Sequence, residues 1–221
     1  MIPLAVIFDF DGVIADTMQD NYLAWKDTFK LFGAEIVPLD YFKLEGMGRF
    51  DIASILSNQY KAGIGHEEEI VKTKEANYKK NNQFSIYPHI PELLQLLSDQ
   101  GIKIGLVTGA SRNRIDSTMP GEILPFFQYI VTSDDVANGK PNPEPYCKAM
   151  KELQVEPSES IVVENAILGI ESAQAAGSTC IALTTTLDAS YLSKADLIFT
   201  SHFDLLYYFQ KLMNLNRSVS L

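Results

Sequence analysis

Two aspartates separated by one residue, Asp9 and Asp11, are the best candidates in this sequence for a chemical role. They directly follow an apolar run, residues 4–8, which is typical of a strand buried on both faces of a parallel sheet. Because side chains alternate along a strand, both carboxylates would leave its end on the same side. Two anions so close together require a cation, a shared proton or a cationic side chain. An acidic turn that merely ends a strand is the alternative that this motif leaves open.

The composition limits the kinds of protein that this chain can be. Its 221 residues, 46% of them hydrophobic, suffice for one large domain or for a domain with a smaller insert. The formal net charge of −10 argues against a nucleic-acid partner, which would require a basic face. No apolar run approaches the roughly 20 residues of a membrane span, and we expect no membrane partner. Cys147 and Cys180 lack metal-ligand or redox spacing, which favours reduced thiols and a cytoplasmic location.

The segment that follows the first strand is predicted to be helical throughout. Apolar residues recur there at helical spacing, and the predicted helices cover residues 18–33, 49–60 and 66–80. Thr17 fits equally well as a helix cap and as a contact of the two aspartates. We therefore predict an inserted helical domain, residues 17–82, and a core domain formed by residues 1–16 and 83–221.

Strand and helix patterns alternate in the second half of the chain. The predicted strands cover residues 103–107, 129–132, 160–163, 179–183 and 197–199. The predicted helices cover residues 91–99, 142–153, 166–176 and 203–213, with one more helix capped by Ser111. This alternation predicts an α/β fold with a doubly wound parallel sheet. Right-handed crossovers would bring the carboxyl ends of the strands to one edge, where such folds bind ligands.

Polar residues follow the later strands of this predicted sheet as well. They are Thr108-Gly109, Lys140-Pro141 and Glu164-Asn165. We expect a hydroxyl, a cation and an acid–amide pair to meet the two aspartates at one edge of the sheet. Each pair by itself also fits a structural role, as a strand end, an exposed turn or a salt bridge.

In this order, the motifs resemble those of the haloacid dehalogenase superfamily of phosphotransferases. They are Asp9-Phe10-Asp11-Gly12-Val13, Thr108-Gly109, Lys140-Pro141, and Val163-Glu164-Asn165 followed by Gly169. The helical segment is similar to the small cap domain of the subgroup that contains β-phosphoglucomutase and phosphoglycolate phosphatase. The resemblance implies a Rossmann-like core, a helical cap and a phosphatase for a small phosphorylated metabolite. A monomer or weak dimer is expected.

The resemblance also implies a role for each matching residue. Asp9 would be the nucleophile that forms an aspartyl-phosphate, and Asp11 would be the general acid and then the general base. Thr108 and backbone N–H groups near Gly109 would hold the phosphoryl oxygens. Lys140 would offset their negative charge.

A magnesium ion is the cofactor that the resemblance implies. Its ligands would be Asp9, the backbone carbonyl of Asp11, and the fourth motif, Glu164 and Asn165. Relatives commonly carry an aspartate where this chain has Asn165. We therefore expect weaker Mg²⁺ binding, with Glu164 taking a larger share directly or through a water.

Residues of the predicted cap bear on the choice of substrate and reaction. Arg49, in the motif that begins at Gly46, would suit a second anionic group on the substrate, although a solvated arginine at a helix end is equally consistent. Asn21 and Glu45 replace the histidine and lysine that support mutase chemistry in β-phosphoglucomutase, which favours hydrolysis. A phosphonatase would require a cap lysine such as Lys26. A catalytically silent binding protein with a decayed metal site is the remaining alternative.

Overall fold

The strands form one parallel sheet. The computed structural model describes residues 2–217. The strands are β1 (Ala5–Phe8), β2 (Lys103–Val107), β3 (Tyr129–Val131), β4 (Ser160–Glu164), β5 (Thr179–Leu183) and β6 (Leu197–Phe199). Their order in the sheet is β3-β2-β1-β4-β5-β6, and every neighbouring pair is parallel. The predicted α/β, doubly wound fold class is confirmed.

Helices alternate with these strands. They are α1 (Met18–Leu31), α2 (Pro38–Phe42), α3 (Arg49–Tyr60), α4 (Glu67–Asn81), α5 (Ile90–Asp99), α6 (Arg112–Thr118), α7 (Glu144–Leu153), α8 (Ile167–Ala175) and α9 (His202–Arg217). Helix α2 was not predicted, because five residues are too few to reveal a helical period. Within residues 2–217, no helix combines the length and apolar character needed to cross a bilayer.

The central strand β1 is covered on both faces, which explains its unbroken apolar sequence. Val6 and Phe8 belong to one hydrophobic cluster, and Ala5 and Ile7 belong to a second one on the opposite side of the sheet. All four side chains are fully buried. Burial of this kind stabilises a fold by about 25 cal/mol for each Å² of apolar surface removed from water.

Helices α1 to α4 form a cluster of their own between β1 and β2. Its largest fully buried side chains include Trp25, Tyr41, Leu56 and Ile70. The backbone N–H of Asp16 donates to the Ser85 carbonyl at 2.9 Å, so the two chain crossings into this segment lie side by side. Two adjacent chain crossings suit a hinge between the inserted helices and the rest of the chain. The domain boundaries expected from the sequence stay a prediction.

The order of the strands determines where a ligand can bind. The chain runs from β1 through β2 to β3 on one side, and then returns across β1 to β4 on the other. The helices that leave β1 and its neighbours therefore diverge, which opens a crevice at the carboxyl end of β1. Asp9 is the first residue beyond that end.

Candidate active site

Lys140 joins two buried carboxylates that come from different strands. Its Nζ donates to Asp9 Oδ1 and to Glu164 Oε1, each at 2.6 Å, and to the Val107 carbonyl at 3.3 Å. All three charged side chains are at least 94% buried. Because removing two anions from water is costly, the ammonium group between them is needed for both to be buried here. The expected convergence of these three residues is therefore observed.

Burial and the neighbouring charges shift the pKa values of Asp9 and Lys140. Burial raises the pKa of Asp9 well above its usual value, although the Lys140 cation opposes the rise. Burial alone would lower the pKa of Lys140, but the Asp9 and Glu164 carboxylates raise it. The two carboxylates therefore favour the charged form of Lys140, while burial disfavours the charged form of Asp9.

Both carboxylate oxygens of Glu164 already have partners. The Tyr146 hydroxyl donates to Oε1 at 2.6 Å, in addition to Lys140. The backbone N–H groups of Asn165 and Ala166 donate to Oε2 at 3.0 and 3.3 Å. This arrangement suits an anchor for Lys140 better than a direct metal ligand.

Gly169 leaves the space that the Glu164 carboxylate occupies. A Cβ at this position in α8 would overlap that carboxylate. We expect Gly169→Ala to displace Glu164 from Lys140 and to lower the free energy of unfolding by about 3–5 kcal/mol, the range for a broken buried charge pair. Urea denaturation would measure the loss.

Gly121→Ala is the control for this substitution, because no atom of the described residues, other than those of its chain neighbours, lies within 4 Å of a Cβ there. Its unfolding free energy should change by less than about 1 kcal/mol. Equal stabilities of the two variants would contradict the predicted overlap at Gly169. Without an overlap, alanine in helix α8 would be more favourable than glycine.

Asp11 is held by three donors on one oxygen. Its Oδ1 accepts hydrogen bonds from the Thr17 hydroxyl, from Asn21 Nδ2 at 3.1 Å, and from Arg114 Nη2. Burial would raise the pKa of Asp11, but the Arg114 cation and the Thr17 hydroxyl lower it. Thr17 makes no side-chain capping bond to α1. Thr17 therefore contacts Asp11 and does not cap the helix through its side chain, and a catalytic role for it stays a prediction.

Arg114 is the residue of this site that sequence reasoning missed. Its guanidinium pairs with Asp11 and stacks on the Tyr78 ring, 4.4 Å from the ring centroid. Arg112, two residues earlier in α6, instead pairs with Asp135 at 2.8 Å. The predicted cap Ser111 accepts the Arg114 N–H at 3.3 Å and fixes where α6 begins. Which arginine faces inward depends on how α6 packs, and no local pattern reveals that.

Two glycines let the loop before α3 approach the strand ends closely. A Cβ at Gly109 would lie 2.9 Å from the Met47 carbonyl oxygen, and one at Gly46 would lie 3.1 Å from Lys140 Cδ. Gly46 also has a φ of 94°, which other residues rarely adopt. The loop therefore lies against Gly109 and Lys140, two of the residues predicted to bind the phosphoryl group.

A cavity of about 270 Å³ lies beneath this loop. Arg49, Thr108 and Lys140 are among the residues that line it. Arg49 donates to the Ser133 hydroxyl at 3.1 Å and pairs with Asp134 at 3.5 Å. The predicted substrate residues of the inserted helices and the predicted phosphoryl-binding residues of the sheet thus face one cavity.

Asn165 offers an oxygen that fits a cation. Its Oδ1 is buried and has no hydrogen-bond partner among residues 2–217, while its Nδ2 donates to the Thr186 hydroxyl at 2.7 Å. The side chain packs directly against Gly12, next to Asp11. Within residues 2–217, no three His, Cys, Asp or Glu side chains are grouped to hold a metal. The available set of carboxylate, amide and carbonyl oxygens nevertheless suits Mg²⁺.

The chain has a parallel sheet, helices inserted after its central strand, and carboxylates at the end of that strand. These features define a class of capped α/β enzymes. The chain belongs to the haloacid dehalogenase-like hydrolase family, whose family model matches residues 6–183. The resemblance drawn from the motifs is therefore confirmed, and the protein is a hydrolase of that family.

Individual relatives support the predicted subgroup. The chain is 32% identical over 202 residues to validoxylamine A 7'-phosphate phosphatase of Streptomyces hygroscopicus subsp. limoneus, covering 87% of this chain and 91% of the relative. It is 33% identical over 184 residues to β-phosphoglucomutase of Bacillus subtilis, covering 78% and 80%. The crystal structure of β-phosphoglucomutase from Clostridium difficile superposes with a TM-score of 0.80 at 28% identity, covering 99% and 100%.

Proposed function

We propose that this protein is a magnesium-dependent phosphatase that hydrolyses a small phosphorylated metabolite through an aspartyl-phosphate on Asp9. The observation that carries the proposal is the buried contact of Lys140 with Asp9 at 2.6 Å, beside a cavity that Lys140 and Thr108 line. Relatives named as a phosphatase and a phosphoglucomutase support a phosphorylated small molecule as the substrate. We place this activity in the cytoplasm, in keeping with the free thiols of Cys147 and Cys180.

The reaction would proceed in two displacements at phosphorus. In the first, an Asp9 oxygen bonds to phosphorus while the bond to the leaving oxygen breaks, and Asp11 gives that oxygen its proton. In the second, a water oxygen bonds to phosphorus while the bond from phosphorus to the Asp9 oxygen breaks, Asp11 takes the water's proton, and free phosphate leaves. Lys140 and the backbone at Thr108-Gly109 would position the phosphoryl oxygens and balance their charge, which is most of what phosphoryl transfer requires.

Mg²⁺ would be held by Asp9, the backbone carbonyl of Asp11 and the amide oxygen of Asn165. When bound, it would neutralise charge on the phosphoryl group and on the Asp9 carboxylate. Glu164 would contribute indirectly, because its oxygens already accept hydrogen bonds from Lys140 and from backbone N–H groups.

Replacing Asn165 by aspartate should tighten Mg²⁺ binding on the order of tenfold, because a charged oxygen replaces a neutral one in the ligand set. Calorimetric titration of the substrate-free protein with Mg²⁺ would measure the change. Asn58→Asp, an exposed substitution in α3, controls for the added charge. Unchanged or weaker binding in Asn165→Asp would count against Asn165 as a ligand.

Hydrolysis is favoured over the related reactions at this site. Asn21 donates to Asp11 and accepts from Lys74 Nζ at 2.9 Å, and an amide cannot titrate as a histidine would. Glu45 gives the opposite charge to the lysine that supports mutase chemistry. The buried lysine beside the partners of Asp11 is Lys74, whereas Lys26 is partly exposed. This arrangement gives no support to a phosphonatase that uses Lys26.

The proposed function is tested by measuring free phosphate released with Mg²⁺ from hexose phosphates, phosphoglycolate, nucleotides, acyl phosphates and p-nitrophenyl phosphate. We expect turnover of at least one small phosphomonoester, and its loss when Mg²⁺ is chelated. A protein that binds such compounds without ever releasing phosphate would instead be a binding module.

A further inference from the structure

Arg114 is a buried cation with an unused hydrogen-bond donor. Its side chain is 9% exposed, and Nη2 donates both to Asp11 Oδ1 and to the Tyr78 hydroxyl at 3.2 Å. Its Nε, also buried, has no acceptor within residues 2–217. A buried donor without an acceptor is costly, so the position calls for an acceptor that a ligand would bring.

Two cavities of different size meet at Arg114. The smaller, about 30 Å³, also touches Asp11, and it has room for little more than a water molecule. The larger, about 770 Å³, extends along α4 and α6 past Tyr78 and Asn113, and it could hold a molecule the size of a phosphorylated sugar. Arg114 therefore stands between the predicted general acid and the space available for a leaving group.

The acidic side chains that line the larger cavity already have cationic partners. Glu75 accepts from Lys74 at 3.3 Å, and Asp134 pairs with Arg49 at 3.5 Å. Arg114 is thus positioned to meet an anion there without competition from those carboxylates. Hydroxyl and amide groups on α6, such as those of Asn113, Ser117 and Thr118, also line this space.

We infer that the ion pair between Arg114 and Asp11 keeps Asp11 from the leaving group, and that a second anionic group on the leaving part of the substrate breaks this pair. We call this ion pair the latch. The inference rests on the proposed phosphatase function. While Asp11 Oδ1 accepts bonds from Arg114, Thr17 and Asn21, that oxygen is not free to face a leaving group. A phosphate or carboxylate in the larger cavity draws the guanidinium to itself, which removes the one charged donor on Asp11 Oδ1 and leaves only the neutral Thr17 and Asn21 donors to be displaced when Asp11 turns to the leaving oxygen.

The test compares substrates that share one reactive ester and differ only in the second anion. They are glucose 1-phosphate, glucuronic acid 1-phosphate, and glucose 1-phosphate carrying a 6-phosphonate, which cannot be hydrolysed. We expect kcat/KM to be at least about tenfold higher with a second anion, within the range of measured site coupling. The carboxylate and phosphonate arms show which anion the latch prefers.

Arg114→Gln should bring the kcat/KM values of the three substrates to within about threefold of one another, because the advantage given by a second anion is lost. Arg112→Gln, at the neighbouring arginine that pairs with Asp135, should keep the wild-type preference. An equal loss on all three substrates in Arg114→Gln would overturn the latch, since it would mean that Arg114 only supports Asp11. Equal wild-type rates with and without the second anion would overturn it as well.

Binding to the Asp9→Asn protein separates this inference from the proposed function. In that background, Arg114→Gln should weaken calorimetric binding of the 6-phosphonate compound at least about tenfold, and that of glucose 1-phosphate by less than about threefold. If Asp9→Asn retains turnover, the phosphatase mechanism fails. If Asp9→Asn is inactive but Arg114→Gln weakens both ligands equally, only the latch fails.

Discussion

Replacing Asp9 by asparagine is expected to abolish turnover, with kcat falling by at least about 10⁴-fold, as it does when a covalent nucleophile is removed. An amide at this position cannot form the acyl phosphate. The fold should persist, because Lys140 keeps its bonds to Glu164 and to the Val107 carbonyl. This substitution therefore separates chemistry from folding.

The measurement is phosphate release with Mg²⁺ by wild type and Asp9→Asn, together with urea denaturation of both proteins. Rapid acid quenching of the wild type during turnover should give a peptide containing Asp9 that is heavier by one phosphoryl group. Phosphate release that survives in Asp9→Asn, or a phosphoryl group found on another residue, would contradict the proposed nucleophile.

Replacing Lys140 by methionine should lower both stability and activity. Asp9 and Glu164 would then face each other without the cation that now lies 2.6 Å from each. Removing one member of a buried charge network costs about 3–5 kcal/mol of unfolding free energy, because it leaves uncompensated charge. We also expect kcat to fall by about 10²–10³-fold, as when other groups that stabilise transition-state charge are removed.

Urea denaturation and phosphate release would measure the two effects separately. Adding Glu164→Gln to Lys140→Met should restore part of the stability, because one of the two uncompensated charges is gone, yet it should restore no activity. Lys194→Met, which breaks an exposed pair with Glu171, should cost no more than about 1 kcal/mol. A Lys140→Met protein as stable as Lys194→Met would contradict the role of the buried trio.

Regular structure was predictable wherever a local period was long enough to read. Strand β2 and helix α3 begin and end at the predicted residues, and the buried run at β1 correctly indicated a parallel sheet. Helix α2 was not predicted because it spans five residues. The predicted fourth strand ended one residue early, so Glu164 belongs to β4 itself.

The candidate site was only partly predictable from local motifs. Asp9, Lys140 and Glu164 were expected at one edge because parallel strands align their carboxyl ends, and the three side chains do meet there. Their catalytic roles remain predictions. The contact of Arg114 with Asp11 spans 103 positions of sequence and depends on the packing of α6 against the inserted helices.

By itself, the sequence determined the family, the parallel sheet and the motifs that follow its strands, because these depend on residue type and short spacing. Only the tertiary structure decided that Glu164 anchors Lys140, that Arg114 holds Asp11, and that the Asn165 amide oxygen has no hydrogen-bond partner in the described part of the chain. The physical reason is that a buried charge takes its partner from whatever element packs beside it. That choice is made by the arrangement of helices and strands in space, which no local pattern encodes.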